Sequence, residues 1–153
     1  MILNQKELYE IMLREEDPIN RYQYMEEFER FDKFLSGLKP SWNKNAFWFS
    51  GLWLLNRKMY RYFFIWLSII GLSSLVSSIL DRTCSYSCRD ISLNLLGSTW
   101  LILAILLGVF GSSIYHQHIK QKIEQAIKQF PDEEQILACL HEEATFLSRS
   151  IVK

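Results

Sequence analysis

Two stretches without a charge constrain this chain more than anything else in it. They are YFFIWLSIIGLSSLVSSIL, residues 62–80, and ISLNLLGSTWLILAILLGVFGSSIY, residues 91–115. A helix rises about 1.5 Å per residue and the hydrocarbon core of a bilayer is about 30 Å thick, so about 20 residues reach across. At 19 and 25 residues, both stretches read as membrane-spanning helices. The competing reading is a pair of core helices in a soluble domain. It fails on size, because 153 residues leave too little polar chain to cover two such helices on all sides. The first apolar run begins only after residue 45, so a signal peptide is not expected.

The formal charge of zero is a sum of separated blocks. Residues 1–40 carry nine acids and six bases, whereas residues 41–61 carry four bases (Lys44, Arg57, Lys58, Arg61) and no acid. The connection 81–90, DRTCSYSCRD, balances to zero, and Lys120, Lys122 and Lys128 follow the second span. Cations gather on the cytoplasmic side of spans. The expected orientation therefore has both termini in the cytoplasm and 81–90 outside, which in a bacterium is the periplasm.

Ahead of the first span lies SWNKNAFWFSGLWLLNRKMY, residues 41–60. Its apolar part, AFWFSGLWLL, would be a helix about 15 Å long, half the thickness it would have to cross. It reads as a segment lying in the cytoplasmic interface, or dipping into it and returning. Trp42, Trp48 and Trp53 suit that level, since an indole is apolar in its body and polar at its N–H. Asn43 and Asn45 are candidate N-caps. Gly51 would let the backbone bend or let another helix approach. Arg57, Lys58 and Arg61 would meet phosphate headgroups, each worth about 1 kcal/mol beside an anionic leaflet. Plain lipid anchoring and a specific docking surface both remain open for this segment.

The same residues resemble the signature of domain-of-unknown-function family 2628, a group of small bacterial inner-membrane proteins. The match runs through Ser41, Trp42, Asn43, Ala46, Phe47, Phe49, Trp53, Leu54, Leu55, Arg57, Lys58, Met59 and Tyr60. A weaker one after the second span involves Tyr115, His118, Lys122 and Ile123, so the resemblance covers about residues 41–127. The departures are Lys44 for an aromatic, Ser50-Gly51 for Gly-Pro, and Asn56 for Tyr; without the proline the bend is less enforced. The resemblance implies a location in the bacterial inner (cell) membrane with two or more spans, and it supplies no reaction.

The two ends predict amphipathic cytoplasmic helices in 1–40 and 116–153. One helix is expected over 4–16. Asp17-Pro18 then reads as an N-cap and first helical residue. Tyr24, Phe28, Phe31, Leu35 and Leu38 form the apolar stripe of a second helix to about residue 36. The helix of the second span should continue through Ile119, Ile123, Ala126, Ile127 and Phe130 until Pro131. A last helix carries Ile136, Leu140, Ala144, Leu147 and Ile151. The stripes from both ends should pack into one cytoplasmic cap, with the C-terminal helix or a partner protein covering the acidic second helix.

The fold class is thus all-α: a two-span membrane hairpin, an aromatic interfacial helix, and cytoplasmic amphipathic helices. Small residues let spans approach closely. Gly71, Ser74 and Ser78 share a face of the first span, and Ala104, Gly108 and Ser112 form a row on the second. Cys84 and Cys88, four apart in the external connection, make a disulfide possible on an oxidising side. His116 and His118 point about 200° apart on a helix and are not expected to share a metal. No catalytic, metal or cofactor residues are assigned, and no nucleic acid is expected as a partner. The expected partners are the lipid bilayer and a membrane or cytoplasmic protein, or further copies of the chain. The expected role is a non-enzymatic scaffold or accessory subunit. The alternative is an oligomeric channel or small transporter, although neither span carries the ionisable residue usual in such proteins.

Overall fold

The computed structural model of the chain describes residues 4–14, 16–33, 39–83, 89–130 and 132–148, without the side chains of 83, 89–93 and 147–148. Among the described residues there are helices and no strand. Helix α1 (Gln5–Met12) starts at Asn4, whose side chain accepts from the Lys6 N–H. It is shorter than the expected 4–16. Arg14 and Glu16 turn back onto the Ile11 and Leu13 carbonyls instead of extending the helix. Further along, proline disfavours helical geometry in the residue before it. Asp17 is accordingly extended (ψ 134°), and Pro18 opens α2 (Pro18–Asp32). Leu35, Gly37 and Leu38 lie outside the described residues.

Helix α3 (Lys44–Asn56) begins at Asn43, whose side chain accepts from the Ala46 N–H. Helix α4 (Tyr60–Thr83) contains the first charge-free stretch. Helix α5 (Arg89–Gln129) contains the second and runs on without a break for 41 residues, about 60 Å. That is twice the thickness of a hydrocarbon core, so a large part of α5 serves another purpose. It stops short of Pro131. Helix α6 (Glu133–Ser148) follows, with Glu133 and Glu134 in its first turn, where negative charge suits the helix dipole.

These helices divide into two compact units. The terminal unit joins Met1–Trp42 with Phe110–Lys153. Its core is Leu8, Tyr9, Met12 and Leu13 of α1, Tyr24, Phe28 and Phe31 of α2, Tyr115, Ile119, Ile123 and Ala126 of α5, and Ile136, Leu140 and Ala144 of α6. The apolar stripes from both ends of the chain therefore share one core. The pairing differs from the expected one. Helix α1 packs on both α2 and α6. The stripe of α2 is covered by Tyr9 of α1 and by Tyr115 and His116 of α5. Flat rings at 4.8 to 6.1 Å from those of α2 fill that space. Ile127, assigned to the stripe of α5, is exposed.

The second unit is Asn43–Val109. Helix α3 packs on α4. The Asn43 N–H donates to the Gly108 carbonyl at 2.7 Å. Phe63, Trp66, Ile70, Ser73, Ser77 and Leu80 of α4 form a half-buried to buried stripe, while the rest of that helix is largely open. Only 6% of its most apolar window is buried, against 28% for that of α5. Phe64, Ile65, Leu67, Leu72, Leu75 and Ile79 are all exposed. A soluble core helix would be mostly covered, and exposed apolar patches in soluble proteins rarely exceed a few hundred Å².

The glycines of this unit separate cleanly. A Cβ at Gly51 would lie 2.7 Å from the Trp66 ring of α4, and one at Gly108 would lie 3.0 Å from the Cβ of Phe47. Beside Gly71 and Gly97 there is open space. Gly51→Ala is therefore expected to lower unfolding stability in detergent by about 1–3 kcal/mol, because the indole must leave its place. Gly71→Ala should stay within about 0.5 kcal/mol of the parent. Equal stabilities for the two variants would contradict the close packing of α3 on α4.

Candidate functional site

Helix α3 is interrupted at Ser50 (φ 34°, ψ −101°), and the Ser50 hydroxyl donates to the Phe47 carbonyl. The bend thus falls on Ser50, while Gly51 provides the close approach to α4. Trp48, Phe49 and Leu52 form the exposed apolar face of the helix; Ala46, Trp53 and Leu54 are buried. The end of α3 has a Schellman geometry. Lys58 adopts φ 55°, its N–H reaches the Leu55 carbonyl, and the Met59 N–H reaches that of Leu54. Leu54 and Met59 are both buried, supplying the apolar contact that accompanies the motif. A lysine therefore holds a left-handed position that usually goes to glycine.

The sequence-assigned site residues are distributed as follows. Trp42 and Trp48 are exposed and Trp53 is buried; Arg57 is buried, Lys58 half-buried and Arg61 exposed. Gly71, Ser74 and Ser78 all face open space. Ala104 and Gly108 are buried in the second unit, and Ser112 is buried in the terminal unit. The structure does not bring the small residues of α4 together with those of α5: nothing lies beside Gly71, and Gly108 meets Phe47 of α3. Cys84 and Cys88 lie outside the described residues.

The terminal unit contains a cluster that the sequence did not single out. The Oη of Tyr9 on α1 and the Nε2 of His116 on α5 share a hydrogen bond at 3.0 Å. The same Nε2 lies 3.3 Å from Oδ1 of Asp32, the last residue of α2. Gln5 donates to Tyr9 Oη at 3.0 Å, and Lys120 Nζ lies 3.7 Å from Asp32 Oδ1. Tyr9 and His116 are both buried. Burial, reinforced by the charge of Asp32, pushes the Tyr9 phenol well above its ordinary value. Burial is also the main reason the His116 imidazole is held below its ordinary value; Asp32 opposes that shift, and Lys120 and Lys39 add to it. One signal was present in the sequence. Tyr115, His116, Ile119, Ile123 and Ala126 follow helical spacing, so His116 sits on an inward stripe.

His118 belongs to the same unit. Burial first, and then Lys122, hold it below its ordinary value, with Glu143 opposing. Lys122 Nζ reaches both carboxylate oxygens of Glu143 at 3.0 Å, tying α5 to α6. Among the described residues, no three His, Cys, Asp or Glu side chains come together as a metal site.

Beside this core, an open groove of about 1020 Å³ lies between α1, α2 and α6. Ile11, Met25 and Leu137 supply apolar lining. Glu10, Arg14 and Glu26 are among its charged residues, and a Lys6–Glu29 ion pair at 2.7 Å lies along it.

The class that these features define is a helical protein with two helices long and apolar enough to cross a membrane. The chain matches the model of a family of proteins of unknown function (DUF2628) over residues 13–121, and it belongs to that family. The match begins earlier than the residue-41 boundary read from the aromatic signature and takes in α2. No curated protein and no solved structure gives a significant match.

The Tyr9 hydroxyl is central to the buried cluster. Tyr9→Phe should lower stability by about 1–3 kcal/mol, because it takes a partner from His116 and Gln5 without filling the space. Tyr22→Phe, at an exposed ring, should stay within about 0.5 kcal/mol of the parent. Unfolding followed by circular dichroism in detergent compares the two.

Proposed function

We propose that this chain is a two-span protein of the bacterial inner membrane, acting as a non-enzymatic scaffold or accessory subunit. In this reading α4 and the upstream half of α5 cross the bilayer as an antiparallel hairpin. Three features support it. Outside one half-buried stripe, the apolar surface of α4 is left uncovered by the chain. The connection between the two helices, residues 84–88, is short, as between antiparallel neighbours. Lys44, Arg57, Lys58 and Arg61 precede the first span, and Lys120, Lys122 and Lys128 follow the second, favouring termini on the cytoplasmic side. Trp48, Phe49 and Leu52 of α3 then sit in the cytoplasmic interface.

The observation that carries the scaffold reading is the groove between α1, α2 and α6. Apolar lining bordered by mixed charges suits a protein segment. Photocrosslinking groups placed at Met25 and Leu137, in protein expressed in its native membrane, are expected to capture one discrete polypeptide other than this chain. Adducts only between copies of the chain, together with ion flux after reconstitution in liposomes, would replace this role with that of an oligomeric channel.

A further inference from the structure

We propose that His116 is a proton-operated clasp that holds α1 and α2 onto the downstream half of α5, and that protonation of its imidazole releases them. The inference rests on the terminal unit alone and does not depend on a partner or on a membrane.

The geometry joins three helices at one nitrogen. His116 Nε2, carried by α5, reaches Tyr9 Oη of α1 at 3.0 Å and Asp32 Oδ1 of α2 at 3.3 Å. The ring lies among the rings of Phe28, Tyr9 and Phe31, with centroids at 4.8, 5.5 and 5.7 Å. A neutral imidazole with its proton on Nε2 suits this place, because it donates toward the Asp32 carboxylate and the Tyr9 oxygen. A second proton brings a full charge into a site of 7% exposure, where it loses its water.

The groups facing the ring decide the sign. Tyr9 comes from α1, Asp32 from α2, Lys39 from the segment after α2, and Lys120 from the next turn of α5. Asp32 favours the charged ring, and the two lysines oppose it. Asp32 is also shared, since Lys120 lies 3.7 Å from the same oxygen. Burial is the largest influence, so the docked ring takes up its proton less readily than a solvated one near 6.5. A base weakened by docking makes the docked state bind fewer protons than the open state. The histidine's contribution to docking is then fully present above about pH 6.5 and is lost as pH falls below it, by up to about tenfold in the docking equilibrium per pH unit. His118 shifts in the same direction but lies beside the Lys122–Glu143 contact to α6. It therefore serves as a control on α5 itself.

The experiment is amide hydrogen exchange of the full chain in lipid nanodiscs at pH 7.5 and 5.5, corrected for intrinsic exchange. The protection of α1 and α2 should fall several-fold on acidification, while that of α4 stays constant. His116→Gln keeps an N–H donor and does not titrate, so its protection should depend on pH far less than the parent's; His118→Gln should keep most of the parent's response. Unchanged protection in the parent, or an equal response in His116→Gln, overturns the clasp. Should His116→Gln fail to dock at either pH, the ring-carbon NMR titration of His116 in the parent decides. A midpoint below about 6.5 that coincides with loss of protection supports the clasp, and a ring that protonates while protection persists overturns it.

Discussion

The constraint on which the rest depends is apolar surface that the chain leaves uncovered. Helix α4 packs along one stripe and exposes the remainder, including Phe64, Ile65, Leu72 and Ile79. At about 25 cal/mol per Å² of apolar area, a face of that size does not stay in water. Lipid is the medium that the proposed reading supplies. Charge-free sequence, helix length and outward-facing side chains then have one explanation. Backbone groups in lipid need internal partners, and an uninterrupted helix provides them.

Where the charges return, the physics changes. Downstream of Tyr115, α5 alternates Lys120, Lys122 and Lys128 with Ile119, Ile123 and Ala126, and it buries its apolar side in the terminal unit. There the core is aromatic and partly polar. Tyr9, Phe28, Tyr115 and His116 pack edge-on or tilted, arrangements that add about 0.5–1.5 kcal/mol per aromatic pair beyond area alone. A chain of polar contacts runs through the core: Gln5 to Tyr9, Tyr9 to His116, and His116 to Asp32. Such a network fixes which faces of α1, α2 and α5 meet, a choice that apolar stripes leave loose.

Much of this was legible in the sequence because it follows from local rules. The two charge-free helices, the Asn43 cap, the break at Asp17-Pro18 and the continuation of α5 past its apolar half are each written in one continuous stretch of chain. What was not legible depends on contacts across the chain. The spacing of Tyr24, Phe28 and Phe31 shows which face of α2 is apolar, but not that α5 covers it in place of α6. Tyr9 and His116 are 107 positions apart, so nothing local joins them. Gly51 had two readings, bend or close approach, and the position of Trp66 on α4 selects the second. The bend itself fell on Ser50, where a β-carbon gave no sign of it. Lys58 in a left-handed turn was hidden for the same reason: its charge was visible and its backbone was not.

The most direct measurement is extraction of native membranes with alkaline carbonate, followed by ultracentrifugation without detergent. A chain whose α4 and α5 surfaces are covered by lipid stays in the pellet and is released only by detergent. Recovery of the folded chain in the aqueous supernatant would contradict a lipid-covered α4 and the two-span reading built on it.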